Sequence, residues 1–584
     1  VAAKSVNTDI DNNVFITFHQ REITQEQLDN IANKEPFTNH LEGFAPILYH
    51  IQEASKDKKI VAGLEKFIFF GTGLGTHIKS IHPKIKSKVY FIIEDDLELF
   101  RLSLFTTNYK KLAQDAKLVF SVFDDKDQFA DKIHTFLNLE YQYNHYIKYF
   151  HMLNHPEDKL SQMHKALTAQ PHLTFFYNDM LTDYTRPLKY LIQEYNFLTQ
   201  KLSLNDKHLR EKPFLLLAAG PSLQKNKEWL IQNHQNYVIV AVAATLPFLD
   251  SVHIAPDILV QLDGKLKAML HFEKVQNKNL FKESILIFSD KVPQVTLDLF
   301  DKNNLFFFEN ATRNKHNSLF LSAYCVGSVA FEILLRLGVK NIYLLGLDMA
   351  IDSKTGLTHS ESHVAARKIE NTEDSDEQST LGYLSTLVNI DGNHQEKVTT
   401  TQHFLSSIEM INHLLSTIKQ SQQKIFNLSD GALFVNTTPA FSSELHIEKS
   451  IDKIKIHNHI LKLCLQNSSS HLTTKEKSDL FAKNTHAQEM KKLIATHLQQ
   501  NTKTNEEYIN NLVTLSSKLL TNEYITHYEL SRIYGAYLKY IIPFIIHFLQ
   551  NLSTDIQDKE IINKFLLEHL MKITDYYIEG FIEV

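Results

Sequence analysis

The sequence predicts a multi-domain α/β protein whose centre is a doubly wound parallel sheet, and three observations carry that reading. Short apolar runs alternate with helix-patterned stretches between about residues 210 and 440. Several of those runs end in Gly, Ser or Asp, the small and polar types found where the strands of an α/β sheet meet a ligand. The 584 residues exceed what a single hydrophobic core organises, and the last part of the chain shows helical periodicity alone.

Taken in order, residues 1–150 read as an N-terminal Rossmann-like α/β domain. Its apolar run at 66–70 leads into Gly71-Thr72-Gly73-Leu74-Gly75, a helix-like stretch and a second run at 89–93. Residues 151–211 read as a helical linker region, with a long helix expected at 182–202. The central domain, 212–440, has strands expected at 214–219, 237–243, 258–262, 284–289, 305–308, 342–345 and 424–428. Its best helix is expected at 323–337. A long polar insertion from 351 to about 401, with an acidic run at 370–377, interrupts the alternation and is expected to be a functional or mobile loop. Residues 441–584 read as four or five amphipathic helices without strands, including 512–520 and 531–549, a candidate partner-docking bundle.

Composition narrows the function classes. A net charge of −6 argues against a general nucleic-acid binder, which needs a basic footprint. Two widely separated cysteines, Cys325 and Cys464, form no disulfide framework and suit a reducing cytoplasm. The most apolar stretch, 540–549, is short and holds Pro543 and His547, so it reads as a buried helix and no membrane span is expected. Only 16 glycines occur, which makes each cluster of them informative.

The central chemistry begins at Ala219-Gly220-Pro221-Ser222-Leu223, where a buried strand turns sharply into a helix. Ser222 is expected to cap that helix, and Pro221 lacks a donor where none is needed. The free N–H groups and the positive end of the dipole then form a phosphate cradle. Asp257 and Asp263 flank the third central strand. Asp263, at its carboxyl end, is a candidate for ribose or base hydrogen bonds, or else a cap for the helix that follows. Gly327 and Ser328, in Tyr324-Cys325-Val326-Gly327-Ser328, offer close backbone approach and a hydroxyl, and Gly346 and Asp348 end another strand. His359, His363 and His394 in the insertion are candidate general acids or bases near neutral pH. The spacing of His359 and His363 would place both on one helix face, but no Glu stands where a zinc protease needs one, and no metal site is expected. In the N-terminal domain, Gly71–Gly75 with Glu94 imitates a dinucleotide fingerprint whose third glycine comes one residue early. Asp95 and Asp96 beside it read equally as metal ligands or helix caps.

Residues 217–223, Pro256-Asp257-Ile258-Leu259-Val260-Gln261-Leu262-Asp263, Gly327-Ser328, Leu345-Gly346-Leu347-Asp348-Met349 and 425–432 together resemble the motility accessory factor (Maf) proteins of flagellated bacteria. The resemblance covers about 212–438 and rests on architecture elsewhere. It implies O-glycosylation of flagellin by a nonulosonic acid, pseudaminic or legionaminic acid, and a central domain similar to bacterial sialyltransferases that use CMP-activated sugars. It further implies that residues 219–223, Asp263, Gly327, Ser328, Gly346 and Asp348 hold the nucleotide sugar. His359 takes the position of the catalytic histidine, with His363 and His394 as alternatives. The CMP-sugar is a substrate, and the implied inverting transfer uses no cofactor or metal. Ala219 and Asp263 each stand where those enzymes carry an asparagine, and the loop leading to His359 is shorter than theirs. The same core also resembles archaeal-type pterin diphosphokinases, which implies ATP and Mg²⁺ held by Asp263 and Asp348. A non-catalytic flagellin-binding assembly factor is the third reading.

Overall fold

The structure is a computed structural model that describes the chain except residues 1–22, 57–62, 146, 153–154, 156–157, 169, 204–206, 323–324, 361–362, 364–386, 446–450, 522–527, 553–555 and 582–584. Tyr324 and the acidic run at 370–377 lie outside the described residues. The chain divides into two compact units. One holds residues 1–181, 376–383 and 483–579, and the other holds 182–375, 384–482 and 580–584.

The first unit contains the parallel sheet β3-β2-β1-β4, formed by β1 (Lys66–Phe70), β2 (Val89–Glu94), β3 (Lys117–Val122) and β4 (Ile147–His151). The two apolar runs expected here are β1 and β2, and every residue of both is buried, as a parallel strand covered on both faces requires. The same unit contains the helices Asn505–Leu520, Tyr528–Asn551 and Ile556–Glu579. The helix Tyr528–Asn551 sets Tyr537 and Tyr540 against Phe44 and Tyr177. No helix among the described residues is long and apolar enough to cross a membrane.

The second unit is built on a ten-stranded sheet, ordered β15-β14-β11-β6-β7-β8-β9-β10-β5-β16. Its strands are β5 (Asn196–Leu198), β6 (Pro213–Leu217), β7 (Val238–Val242), β8 (Ile258–Gln261), β9 (Ile285–Ser289), β10 (Leu305–Phe308), β11 (Asn341–Leu345), β14 (Lys424–Asn427), β15 (Thr438–Pro439) and β16 (Ser468–Ser469). All pairings are parallel except β16 with β5. The seven expected central strands are β6 to β11 and β14. From β6 the chain steps outward through β7, β8, β9 and β10, then crosses back to set β11 on the other side of β6. The β6–β11 boundary is therefore the topological switch point, where crevices form outside the strands' carboxyl ends. An antiparallel hairpin, β12 (Leu387–Asp391) with β13 (Lys397–Thr401), occupies the end of the insertion expected as a loop.

Three expectations change. The helix expected at 182–202 is Tyr177–Ile192. It stops because Glu194 takes a left-handed conformation (φ 54°) and the chain then enters β5. The helix expected from 323 begins at Val326, capped by Cys325, and ends at Gly338 in the left-handed region (φ 75°). The helical stretch expected as one domain over 441–584 is split between the units: Lys453–Gln466 buries Ile456, Ile460, Leu463 and Cys464 in the core of the central sheet, while 483–579 belongs to the first unit.

Candidate functional site

Everything at the switch point follows from two turns that touch. After β6 the chain passes Ala218 and Ala219, turns at Gly220 and enters the short helix Pro221–Lys225. Gly220 is extended (φ −76°, ψ 168°), so its need for glycine is one of space: a Cβ would lie 2.1 Å from Asp348 Oδ2 and 2.5 Å from the Gly346 carbonyl. Gly346, after β11, needs glycine for both reasons, since its φ is 79° and a Cβ would lie 2.0 Å from the Ala218 carbonyl. The Gly220 N–H donates to the Gly346 carbonyl at 2.7 Å and locks the turns together.

Ser222 is not the cap that the sequence suggests. Gly220 holds the cap position, Pro221 is the first helical residue and Ser222 is the second. The Ser222 N–H (3.2 Å) and Oγ–H (2.8 Å) both donate to Asp348 Oδ2, and Ser222 Oγ accepts from the Gly346 N–H at 3.2 Å. The first turn of this helix thus already receives an anion, the protein's own Asp348 carboxylate. Burial is the main force that raises the Asp348 carboxyl to about 6, helped by the charge of Asp430 and opposed by the Ser222 bonds. Leu223 turns into the core, fully buried.

Beside this junction opens a cavity of about 650 Å³ lined by Pro221, Asp348, the 350–356 loop, the 430–431 loop and the β12–β13 hairpin. Lys225 stands in it, with Nζ 2.6 Å from Asp352 and 2.7 Å from Asp430. Burial disfavours the Lys225 ammonium, but its two carboxylate partners prevail and raise it above its ordinary value. Burial likewise opposes ionisation of Asp352, yet bonds from Lys225 and Thr355 bring it down to about 2. Lys354 and Lys397 add positive charge to the lining. Sequence reading missed Lys225, Asp352 and Asp430. The signal for Lys225 was its place one helical turn after Ser222, and for Asp430 its place in the 425–432 stretch.

The insertion returns to the Gly220 turn through the Ser360 N–H, which donates to the Ala219 carbonyl at 2.8 Å. His359 and His363 are stacked (centroids 4.2 Å, planes 12° apart), but on a turn closed by His363 N–H to the Ser360 carbonyl, not on a helix face. His271, which the sequence did not single out, completes the row 4.9 Å from His363. His359 Nδ1 lies 3.0 Å from Thr358 Oγ1. Burial, followed by the neighbouring His359, His271 and Lys274, lowers His363 to about 3, and burial lowers His271 to about 4 against the pull of Asp263. Asp263 is exposed and its Oδ1 accepts from the Lys265 N–H at 2.9 Å in the turn before the short helix Leu266–Met269, whose cap position is Lys265 and which takes no side-chain cap, so Asp263 does not cap it. His394 is stacked on Phe441 at 4.2 Å, next to Asn393, which donates to the carbonyls of Asn427 and Ser429.

The remaining candidates serve the fold. Gly327 lets Leu347 approach, since a Cβ would lie 2.6 Å from its Cδ1, and buried Ser328 returns its hydroxyl to the Cys325 carbonyl at 2.8 Å. Asp257 accepts from the Ile239 N–H and from Lys453 Nζ. In the first unit the Gly71–Gly75 turn is filled from within: Glu94 Oε2 accepts from Thr72 N–H (2.7 Å), Thr72 Oγ1–H (2.9 Å) and Gly73 N–H (3.3 Å), while Met152 packs over the glycines. Asp96 caps the helix Leu97–Thr106, and Asp95 pairs with Lys159.

Residues 22–175 match the family model described as "Glycosyltransferase Maf N-terminal domain". Residues 186–354 match the model described as "6-hydroxymethylpterin diphosphokinase MptE-like". No curated relative matches the chain. Among solved structures, the MAf glycosyltransferase from Magnetospirillum magneticum AMB-1 shares the fold with a TM-score of 0.62 at 14% identity, over 98% of this chain and 89% of that one.

Proposed function

We propose that this chain, a member of the Maf glycosyltransferase family by its N-terminal domain and a sharer of the fold of a solved MAf glycosyltransferase, moves a nonulosonic acid from a CMP-activated donor to a Ser or Thr hydroxyl of flagellin in the cytoplasm. One observation carries the reading: a cavity of about 650 Å³ opens at the switch point of the central sheet, between the Pro221 turn and the β12–β13 hairpin, with Lys225 inside it. The donor's CMP fits that cavity in size, and Lys225, Lys354 and Lys397 are the cations that would face its phosphate.

In this reading His359 takes the proton from the acceptor hydroxyl. That oxygen forms its bond to the anomeric carbon as the bond from this carbon to the phosphate oxygen breaks, and CMP leaves with the electron pair and with inversion. His363, with its proton affinity lowered to about 3, is a poor base near neutral pH and acts as a neutral ring that orients His359. The C-terminal helices are the surface for flagellin.

The test is co-expression with flagellin and the CMP-sugar pathway, followed by intact-mass analysis of flagellin. The expected result is an added sugar mass with the native chain and none with His359→Ala. Flagellin bound but unmodified would leave the assembly-factor reading. A second enzymatic reading rests on the match of residues 186–354 to a diphosphokinase family and on the three carboxylates Asp348, Asp352 and Asp430 around the cavity. Thermal-shift titration separates the two: CMP stabilises a sugar transferase, and ATP with Mg²⁺ stabilises a diphosphokinase.

A further inference from the structure

A second cavity, of about 300 Å³, lies wholly within the first unit, walled by the end of the helix Lys126–Asn138, Tyr141, Asn144, Gln170 and His172, and one face of the helix Tyr528–Asn551. Its lining includes His134, His172, Arg532 and Lys539 and, among the described residues, no carboxylate. Lys539 Nζ finds a neutral acceptor, Asn138 Oδ1, at 2.8 Å. Burial lowers Lys539 below its ordinary value, and burial together with the Lys539 charge lowers His172 to about 3. The Lys539 ammonium thus stands in a half-dry space against a neutral amide and a His172 ring that burial keeps neutral, an arrangement that an entering anion, bonded by the ammonium and by the ring N–H, would stabilise.

The helix that lines the cavity is shaped for an occupant. Ser531, Gly535 and Lys539 recur every four residues and share one face, and all three line the space. Glycine is a poor residue inside a helix. A Cβ at Gly535 would make only an ordinary contact, 3.4 Å from Leu520 Cδ2, so packing does not demand the glycine. What it does is keep the cavity open. Two of the polar side chains are committed elsewhere, Asn144 to Lys66 and the Leu137 carbonyl and Tyr141 OH to Ser516, and Gln170, Ser531 and Arg532 complete the polar lining. Leu137, Met180 and Leu520 supply an apolar wall for the body of a small molecule.

We propose that this cavity binds a small polyhydroxylated oxyanion, its carboxylate or phosphate held by Lys539 and His172 and its carbon skeleton resting beside Gly535. The site lies in a different unit from the switch-point cavity and does not depend on the function proposed above.

The test is titration of the full chain with ribose 5-phosphate and with N-acetylneuraminate, read by calorimetry, the two probes distinguishing a phosphate from a carboxylate occupant. Saturable binding of either probe is expected, weakened about tenfold or more by Lys539→Gln and by Gly535→Leu and unchanged by Lys225→Met. Hydrogen exchange on the native chain gives a readout that needs no variant: the bound probe should protect amides near residues 531–539. The proposal fails if neither probe binds, if binding tracks Lys225 instead of Lys539, or if protection appears only around residues 221–225.

Discussion

Asp348 shows how one side chain can occupy the site that a sequence reading assigns to a ligand. Its carboxylate sits at the first turn of the helix Pro221–Lys225, and Gly220 has no side chain because Asp348 takes the space. Burial makes the charged form costly, so the folded chain holds this proton to about pH 6. The unfolded chain releases it near 4. Between those values the native state binds more protons, so this group makes stability fall as pH rises from about 4 to 6 and stay lower above that. A shift of about two units corresponds to about 3 kcal/mol. Asp348→Asn keeps an acceptor for Ser222 and removes the charge. It is expected to raise the melting temperature at pH 8 and not at pH 4, which parallel thermal melts would check. Gly220→Ala forces a Cβ to 2.1 Å from the same carboxylate and is expected to cost about 3 kcal/mol or more in denaturant unfolding.

The β12–β13 hairpin is the element that turns an ordinary sheet edge into a cavity. It is anchored to the loop after β11 through the Ile351 N–H to the Thr399 carbonyl and through Thr400 Oγ1 to the Met349 carbonyl at 2.7 Å. The ten-stranded sheet does not include it, so changes on its cavity face should alter binding and leave the fold intact. Lys397 pairs on the surface with Asp391, a contact worth little to stability. Lys397→Glu is therefore expected to weaken CMP binding about tenfold with an unchanged melting temperature, as measured by calorimetry and thermal shift.

At the scale of the whole molecule, the chain's two compact units do not follow its linear order. The helix Lys453–Gln466 completes the core of the central sheet with Ile456, Ile460, Leu463 and Cys464, all buried. Each large apolar side chain of this kind contributes about 1.5–3 kcal/mol when fully buried. A fragment of residues 182–440 is thus expected to unfold cooperatively only at much lower denaturant than one of 182–482, or to be insoluble. Equal midpoints for the two fragments would show that the helix adds nothing to that core.

Local pattern alone was enough to read β1, β2, β6 to β11 and β14, while β3, β4, the short edge strands β5, β15 and β16 and the β12–β13 hairpin were not legible. Runs such as Lys66–Phe70 and the stretch at 305–308 are apolar on both faces, which only a strand covered on both sides tolerates, and they are β1 and β10. The same holds for the Gly220 and Gly346 turns, because small residues at strand ends are a local requirement. The partners of those turns were set by tertiary structure. Gly220 faces Asp348 across more than a hundred residues of sequence, and Lys225 meets Asp352 and Asp430 through loops from three strands. His271 joins His359 and His363 from a separate segment, and the basic cavity draws on helices from both ends of the chain. Periodicity reports which face a residue presents to its own neighbours. Which distant charge fills a turn depends on the order in which the sheet is wound, and that order is a property of the folded chain.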